Sequence, residues 1–185
     1  WIYMLLAPAL GMRLWADEQR SGTIELLGTF PTTIWSAILG KYLAAVLVWF
    51  IALLLTYPMV MAVNTLGDPD NLTIFSGYIG SFLVCCTFLA ITCLVSAFTR
   101  DQVTCLIISC SICVLLVVVG FDHVVRIFSQ TFSEATTDAI VSTSVLDHYQ
   151  PLLRGAIRFQ DITYFGSIII ACLLCTSAIL NSKRS

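Results

Sequence analysis

Eight cysteines and two histidines are the residues of this 185-residue chain whose types could do chemistry. Cys110-Ser-Ile-Cys113 and Cys172-Leu-Leu-Cys175 each have the CxxC spacing that offers two thiols to one zinc ion or to a redox partner. All eight thiols nevertheless fall in long apolar stretches, where disulfide exchange and delivery of an aqueous metal are awkward. They also share stripes with other small residues: Cys86, Ala90, Cys93 and Ala97; Cys105, Ser109 and Cys113; Ser167, Ala171 and Cys175. Small residues three or four apart let membrane helices approach closely. The thiols therefore read as packing residues, and a soft-metal site is the competing reading on ligand softness alone.

The histidines sit beside aspartates, as Asp122-His123 and Asp147-His148, and each pair reads as solvated loop rather than as metal ligands. Gly40-Lys41 has the end of a phosphate-binding loop but not its beginning. Trp35 stands where the first glycine belongs and Tyr42 where a Ser or Thr must follow, so the chain does not hydrolyse ATP by itself. The apolar stretches hold no Asp, Glu, Lys, Arg or His, which removes the usual marks of a proton relay or an intramembrane catalytic pair. The expectation is a non-enzyme with no catalytic residue, no resident cofactor and no metal.

The elements that carry these residues follow from composition. With 58% apolar and 11% charged residues and a mean hydropathy of +0.94, most of the chain must face lipid or other buried helices. A net charge of −2 without a basic cluster excludes nucleic acid as a partner. Stretches 42–63, 72–99, 103–121 and 162–180 are free of charge and meet or approach the roughly 20 residues that cross a bilayer. The fold class expected is all-α, a polytopic transmembrane helical bundle forming one domain over 1–185. Residues 1–12 are too few to span and read as the end of a second span. Spans three to six are then expected at 42–63, 74–98, 103–121 and 162–180, with a tail at 181–185, giving six spans when an upstream first span is included.

Six of the nine basic residues, Arg13, Arg20, Lys41, Arg100, Lys183 and Arg184, fall on one side of this arrangement. The bias of Lys and Arg toward the cytoplasm makes that side the inner one and the loop at 64–71 outer. Segment 13–40 is too polar to span and reads as a cytoplasmic helix with an apolar face, in which Ser21 or Gly22 caps a short helix, Glu25 suits its first turn and Pro31 ends it. Pro58 should kink the third span near its outer end. The three-residue link Arg100-Asp101-Gln102 makes its flanking spans an antiparallel pair. In the outer segment 122–161, Ser144-Val-Leu-Asp147 has capping-box spacing. Leu146, Tyr149, Leu152, Leu153, Ala156 and Ile157 follow at helical intervals, so one or two short amphipathic helices are expected there.

The stretch from Arg13 to Pro31, with Trp35 and Leu39-Gly-Lys-Tyr-Leu-Ala44, closely resembles the first cytoplasmic loop of ABC-2 type permeases. It is most similar to the branch of gliding-motility-associated and nitrous-oxide-reductase-maturation permeases. Glu18, Gly22, Thr23, Glu25 and Leu27 match the Glu-x-x-x-Gly-Thr-x-Glu-x-Leu core of that loop. Looser resemblance reaches Asp68-Pro-Asp, Thr99 to Gln102 and Tyr149 to Phe165. The resemblance implies a multi-pass protein of the bacterial plasma membrane that pairs with a second permease copy, homo- or heterodimeric, and docks on ABC ATPase subunits that bind ATP and magnesium. It also implies that Glu18, Arg20, Gly22, Thr23, Glu25, Leu26 and Leu27 form the coupling helix that meets the ATPase. A balanced helix in water agrees with that role, since its apolar face can fill a groove on a partner while its charges fix the register. The competing functions are an ATP-independent channel or carrier and a structural membrane anchor of a surface machine.

Overall fold

A computed structural model describes residues 1–22, 34–121, 124–125 and 143–182. Every regular element among them is helical: α1 (Ile2–Gly11), α2 (Arg13–Ser21), α3 (Ile34–Leu54), α4 (Tyr57–Leu66), α5 (Asn71–Phe98), α6 (Gln102–Val118), α7 (Val145–Leu153) and α8 (Phe159–Ser182). Three segments are long and apolar enough to cross a membrane, namely Ile34–Leu66, Asn71–Phe98 and Phe159–Ser182. The protein is an all-α helical membrane bundle.

α5 is the axis of the bundle. Its 28 residues extend about 42 Å at 1.5 Å per residue, the thickness of a bilayer with its headgroups. α1, α2, α3, α6, α7 and α8 all pack on it. Its apolar residues run around the whole helix, as they must in a helix with neighbours on every side. Phe88, Leu89, Ala90 and Cys93 are sealed from solvent, and so are Thr87 and Thr92, whose hydroxyls donate to Leu83 O and Phe88 O four residues back. Asp70 starts the helix by accepting from Leu72 N and from the Thr73 hydroxyl. α3, in contrast, lies on the outside and turns Leu43, Leu47, Val48, Ile51 and Leu54 outward. That is the surface a lipid-facing helix needs.

Pro58 acts more strongly than a kink. The regular helical bonding is interrupted at a turn over Leu55 and Thr56, where Thr56 N donates to Leu53 O at 3.1 Å, and α4 begins with Pro58 in its first turn, where the missing N–H is not required. Thr56 donates its hydroxyl to Leu53 O at 2.6 Å and shares a bond of 2.7 Å with Tyr78 of α5 across the break.

Two of the three small-residue stripes are buried. Cys86, Ala90, Cys93 and Ala97 line the core face of α5, and Cys105, Ser109 and Cys113 that of α6. Ser167, Ala171 and Cys175 differ from the packing expectation, because they are exposed. α8 packs inward through Phe165, Leu173, Thr176, Ser177 and Leu180. Two residues along a helix turn the side chain by about 200°, so a stripe starting at Ser167 faces away from one starting at Phe165. Neither CxxC pair closes on a third ligand, and no three of His, Cys, Asp and Glu converge among the described residues.

Candidate functional site

α2 is a polar helix held against the end of an apolar bundle, and its sequence explains how. Trp15 and Ala16 form a buried face. Arg13, Asp17, Arg20 and Ser21 point to the exterior. Trp15 is 1% exposed, the largest side chain to be buried so completely. Its indole Nε1 donates to Cys93 Sγ at 3.3 Å.

The first-turn amides of any helix lack partners within it. For α2 they are satisfied by a residue of another helix. Trp15 N and Ala16 N donate to Ser96 Oγ at 2.9 and 3.0 Å, and the same hydroxyl donates to Met12 O at 3.2 Å. Ser96 of α5 thus does for α2 what an N-cap side chain normally does for its own helix. Gln19, one turn on, donates from Nε2 to Ser96 O at 3.3 Å and to Ala97 O. Gly11, immediately before α2, approaches α5 so closely that a Cβ there would stand 2.7 Å from Thr92 Cγ2.

Lys41 completes the docking from α3. Its Nζ lies 2.5 Å from Glu18 Oε1 and donates to Leu14 O at 2.7 Å. It also stands 4.0 Å from the centroid of the Trp15 ring, a cation–π geometry. α6 contributes from its first turn, where Gln102 Nε2 donates to Asp17 Oδ1. Asp101 caps α6 by accepting from the amide and hydroxyl of Thr104. Those bonds, with a smaller contribution from the Arg20 guanidinium, hold its carboxyl below the ordinary carboxylate range.

Several expectations change here. Gly22 ends α2 in the left-handed conformation, φ 71°, which a residue without Cβ adopts most easily, and the short helix that Ser21 or Gly22 is expected to cap lies outside the described residues. Glu18 is half-buried, with Oε1 paired to Lys41 Nζ. Arg20 remains exposed, while Thr23, Glu25, Leu26 and Leu27 lie outside the described residues. The helices themselves reach beyond the charge-free stretches, so that α3 contains Lys41 and α8 contains Asp161. Each is tolerated because it is paired.

His148 is not a solvated loop residue. It lies on the buried face of α7, and its Nδ1 is 2.7 Å from Asp161 Oδ1, with Tyr164 stacked on the ring at 4.0 Å between centroids. The neighbour in sequence, Asp147, is exposed and serves the first turn of α7. Ser144 caps that helix by accepting from Leu146 N at 3.1 Å. Ala156 and Ile157 lie past its end, beyond Gly155 at φ 82°.

A family model described as ABC-2 family transporter protein matches residues 2–180. The chain belongs to the ABC-2 transporter family. No curated protein shows significant similarity to it. The match to the ABC-2 family takes in every helix from α1 to the greater part of α8, so the docked helix α2 is part of the family domain and not an appendage to it. Trp15, Gln19, Lys41 and Ser96 are the residues of this ABC-2 protein that sequence reasoning missed. Their only signal is that Ser96 lies three residues from Cys93, on the buried side of α5.

Proposed function

We propose that the chain is the membrane-spanning permease subunit of an ABC transporter. It moves its substrate by means of ATP hydrolysis in a separate nucleotide-binding subunit, and it pairs with a second permease copy in the bacterial plasma membrane. In this reading α2 and the segment through Leu27 form the coupling element. Arg20 and the outer charges of α2 meet the ATPase, with Thr23, Glu25, Leu26 and Leu27 continuing that surface, and ATP and magnesium stay with the partner. The resemblance of the 13–31 stretch to gliding-motility and nitrous-oxide-maturation permeases supports membership of that branch.

The observation that carries the reading is the attachment of α2 to α5. A polar helix whose first-turn amides are held by Ser96 of the central span moves only if that span moves. Such an attachment transmits displacement from the end of the bundle into its core, which is what a coupling element requires. Arg20→Glu tests it in the complete transporter reconstituted with its ATPase. Reversing one rim charge should weaken ATPase association about threefold to tenfold and lower substrate-stimulated ATP hydrolysis in proportion, with insertion unchanged. Undiminished stimulated hydrolysis for both Arg20→Glu and Glu25→Arg would refute the assignment.

A further inference from the structure

Charge is buried a second time at the end of the bundle away from α2, in a cleft of about 300 Å³ between α7 and the start of α8. Asp161, 3% exposed, is its deepest charged group. His148 occupies Oδ1, whereas Oδ2 is buried without a hydrogen-bond partner among the described residues. A buried carboxylate oxygen left without a donor is costly. The imidazole is fixed against Tyr164 with the rings inclined by 21°, so it does not turn to serve both oxygens. Oδ2 therefore calls for a hydrogen-bond donor beyond the described residues, and an ammonium is the donor that suits a carboxylate oxygen best.

The same cleft is bordered by Arg154 and Arg158, both exposed, and by Gln150. Guanidinium groups select phosphate. Interleaved with them are Leu153, Ile157 and Phe159, the last 80% exposed. Apolar side chains alternating with cations where a span begins are the pattern of the interface between headgroups and acyl chains. The depth agrees. α7 packs on Ser76 and Gly80, five and nine residues into α5, or about 8 and 14 Å from its start.

We propose that this cleft holds the headgroup of an aminophospholipid, with its phosphate on Arg154 and Arg158 and its primary ammonium on Asp161 Oδ2. The chemistry discriminates among lipids. The quaternary nitrogen of phosphatidylcholine has no N–H to donate, and phosphatidylglycerol has no cation. A bare metal ion would find no three of His, Cys, Asp and Glu converging there among the described residues, although Asp147 also borders the cleft, and two arginines would repel it. Free phosphoethanolamine shares the polar contacts, but it would leave Ile157 and Phe159 without a partner.

Native mass spectrometry of the delipidated, purified full-length protein tests the assignment, with phosphatidylethanolamine, phosphatidylcholine and phosphatidylglycerol of equal chain length as probes. Phosphatidylethanolamine should bind about tenfold tighter than the other two, the effect of one charge-assisted hydrogen bond. Asp161→Asn should abolish the preference, and Arg154→Gln with Arg158→Gln, on the exposed rim, should weaken all three lipids without unfolding the protein. Equal affinity for phosphatidylethanolamine and phosphatidylcholine in the unaltered protein would overturn the proposal, and so would binding indifferent to the two arginine substitutions. Free phosphoethanolamine that binds as tightly as the lipid would overturn it as well, by transferring the cleft to a soluble ligand.

Discussion

Ser96 caps a helix to which it does not belong: its hydroxyl receives the amides of Trp15 and Ala16, 81 and 80 residues earlier in the chain, at 2.9 and 3.0 Å. Replacing Ser96 with Ala should cost about 1–2 kcal/mol, the usual effect of losing an N-cap, and should loosen α2 more than the bundle. Thiol-reagent access to Cys93, which lies under the Trp15 indole, should rise in Ser96→Ala. Unchanged access at Cys93 would show that packing alone holds the helix.

Lys41→Met should be destabilising because it removes the ion pair with Glu18, the bond to Leu14 O and the contact with the Trp15 ring. The two side chains are 26% and 27% exposed, so the loss should stay at about 1–3 kcal/mol, below that of a fully buried pair. Adding Glu18→Gln should recover part of it, since the half-buried carboxylate that faced Lys41 is then replaced by a neutral amide. A double-mutant cycle of thermal stability measures the coupling, and strictly additive losses would show that Lys41 acts only through Leu14 O and the Trp15 ring.

Gly11→Ala should destabilise by about 1–3 kcal/mol, because its Cβ would lie 2.7 Å from Thr92 Cγ2 and 2.9 Å from Thr92 Cβ. Thr92→Ala in the same chain removes the first clash but not the second, so rescue should be partial. Full tolerance of Gly11→Ala in a detergent melt would mean that α1 and α5 separate at little cost.

Asp101 gives the cap of α6 a pH dependence. Its carboxyl is held below the ordinary range, first by the Thr104 amide and hydroxyl, so the charged form is favoured in the folded protein. The stability it adds is complete above the unfolded value of about 4 and disappears as pH falls through the lower folded value. Exchange of the first α6 amides should therefore accelerate in that acid range. In Asp101→Asn, which retains an acceptor but does not titrate, this acceleration should be missing.

How far the residues announce this arrangement depends on the range of the interaction involved. Ser144 is readable as a cap because donor and acceptor lie two residues apart, and the inward face of α6 is readable because Cys105, Ser109 and Cys113 repeat with the helix. The partners of Glu18 and Asp161 are not readable, since they lie 23 and 13 positions away and no periodicity connects them. Those hidden pairs are also what lets α3 and α8 run past the charge-free stretches, since Lys41 and Asp161 continue the helix once paired with a neighbour. The third small stripe shows the complementary limit: Ser167, Ala171 and Cys175 define a face of α8, but spacing alone does not say which face meets α5.

The capping of α2 by Ser96 also sets a timetable. A chain made from its N-terminus releases α2 some eighty residues before the serine that completes it exists, so the helix must wait, with two amides served only by water, while α3 and α4 are threaded into the bilayer. Only the insertion of α5 ends that interval. The last part of α2 to form is thus its beginning, and a growing chain halted before Ser96 would carry the helix unfastened.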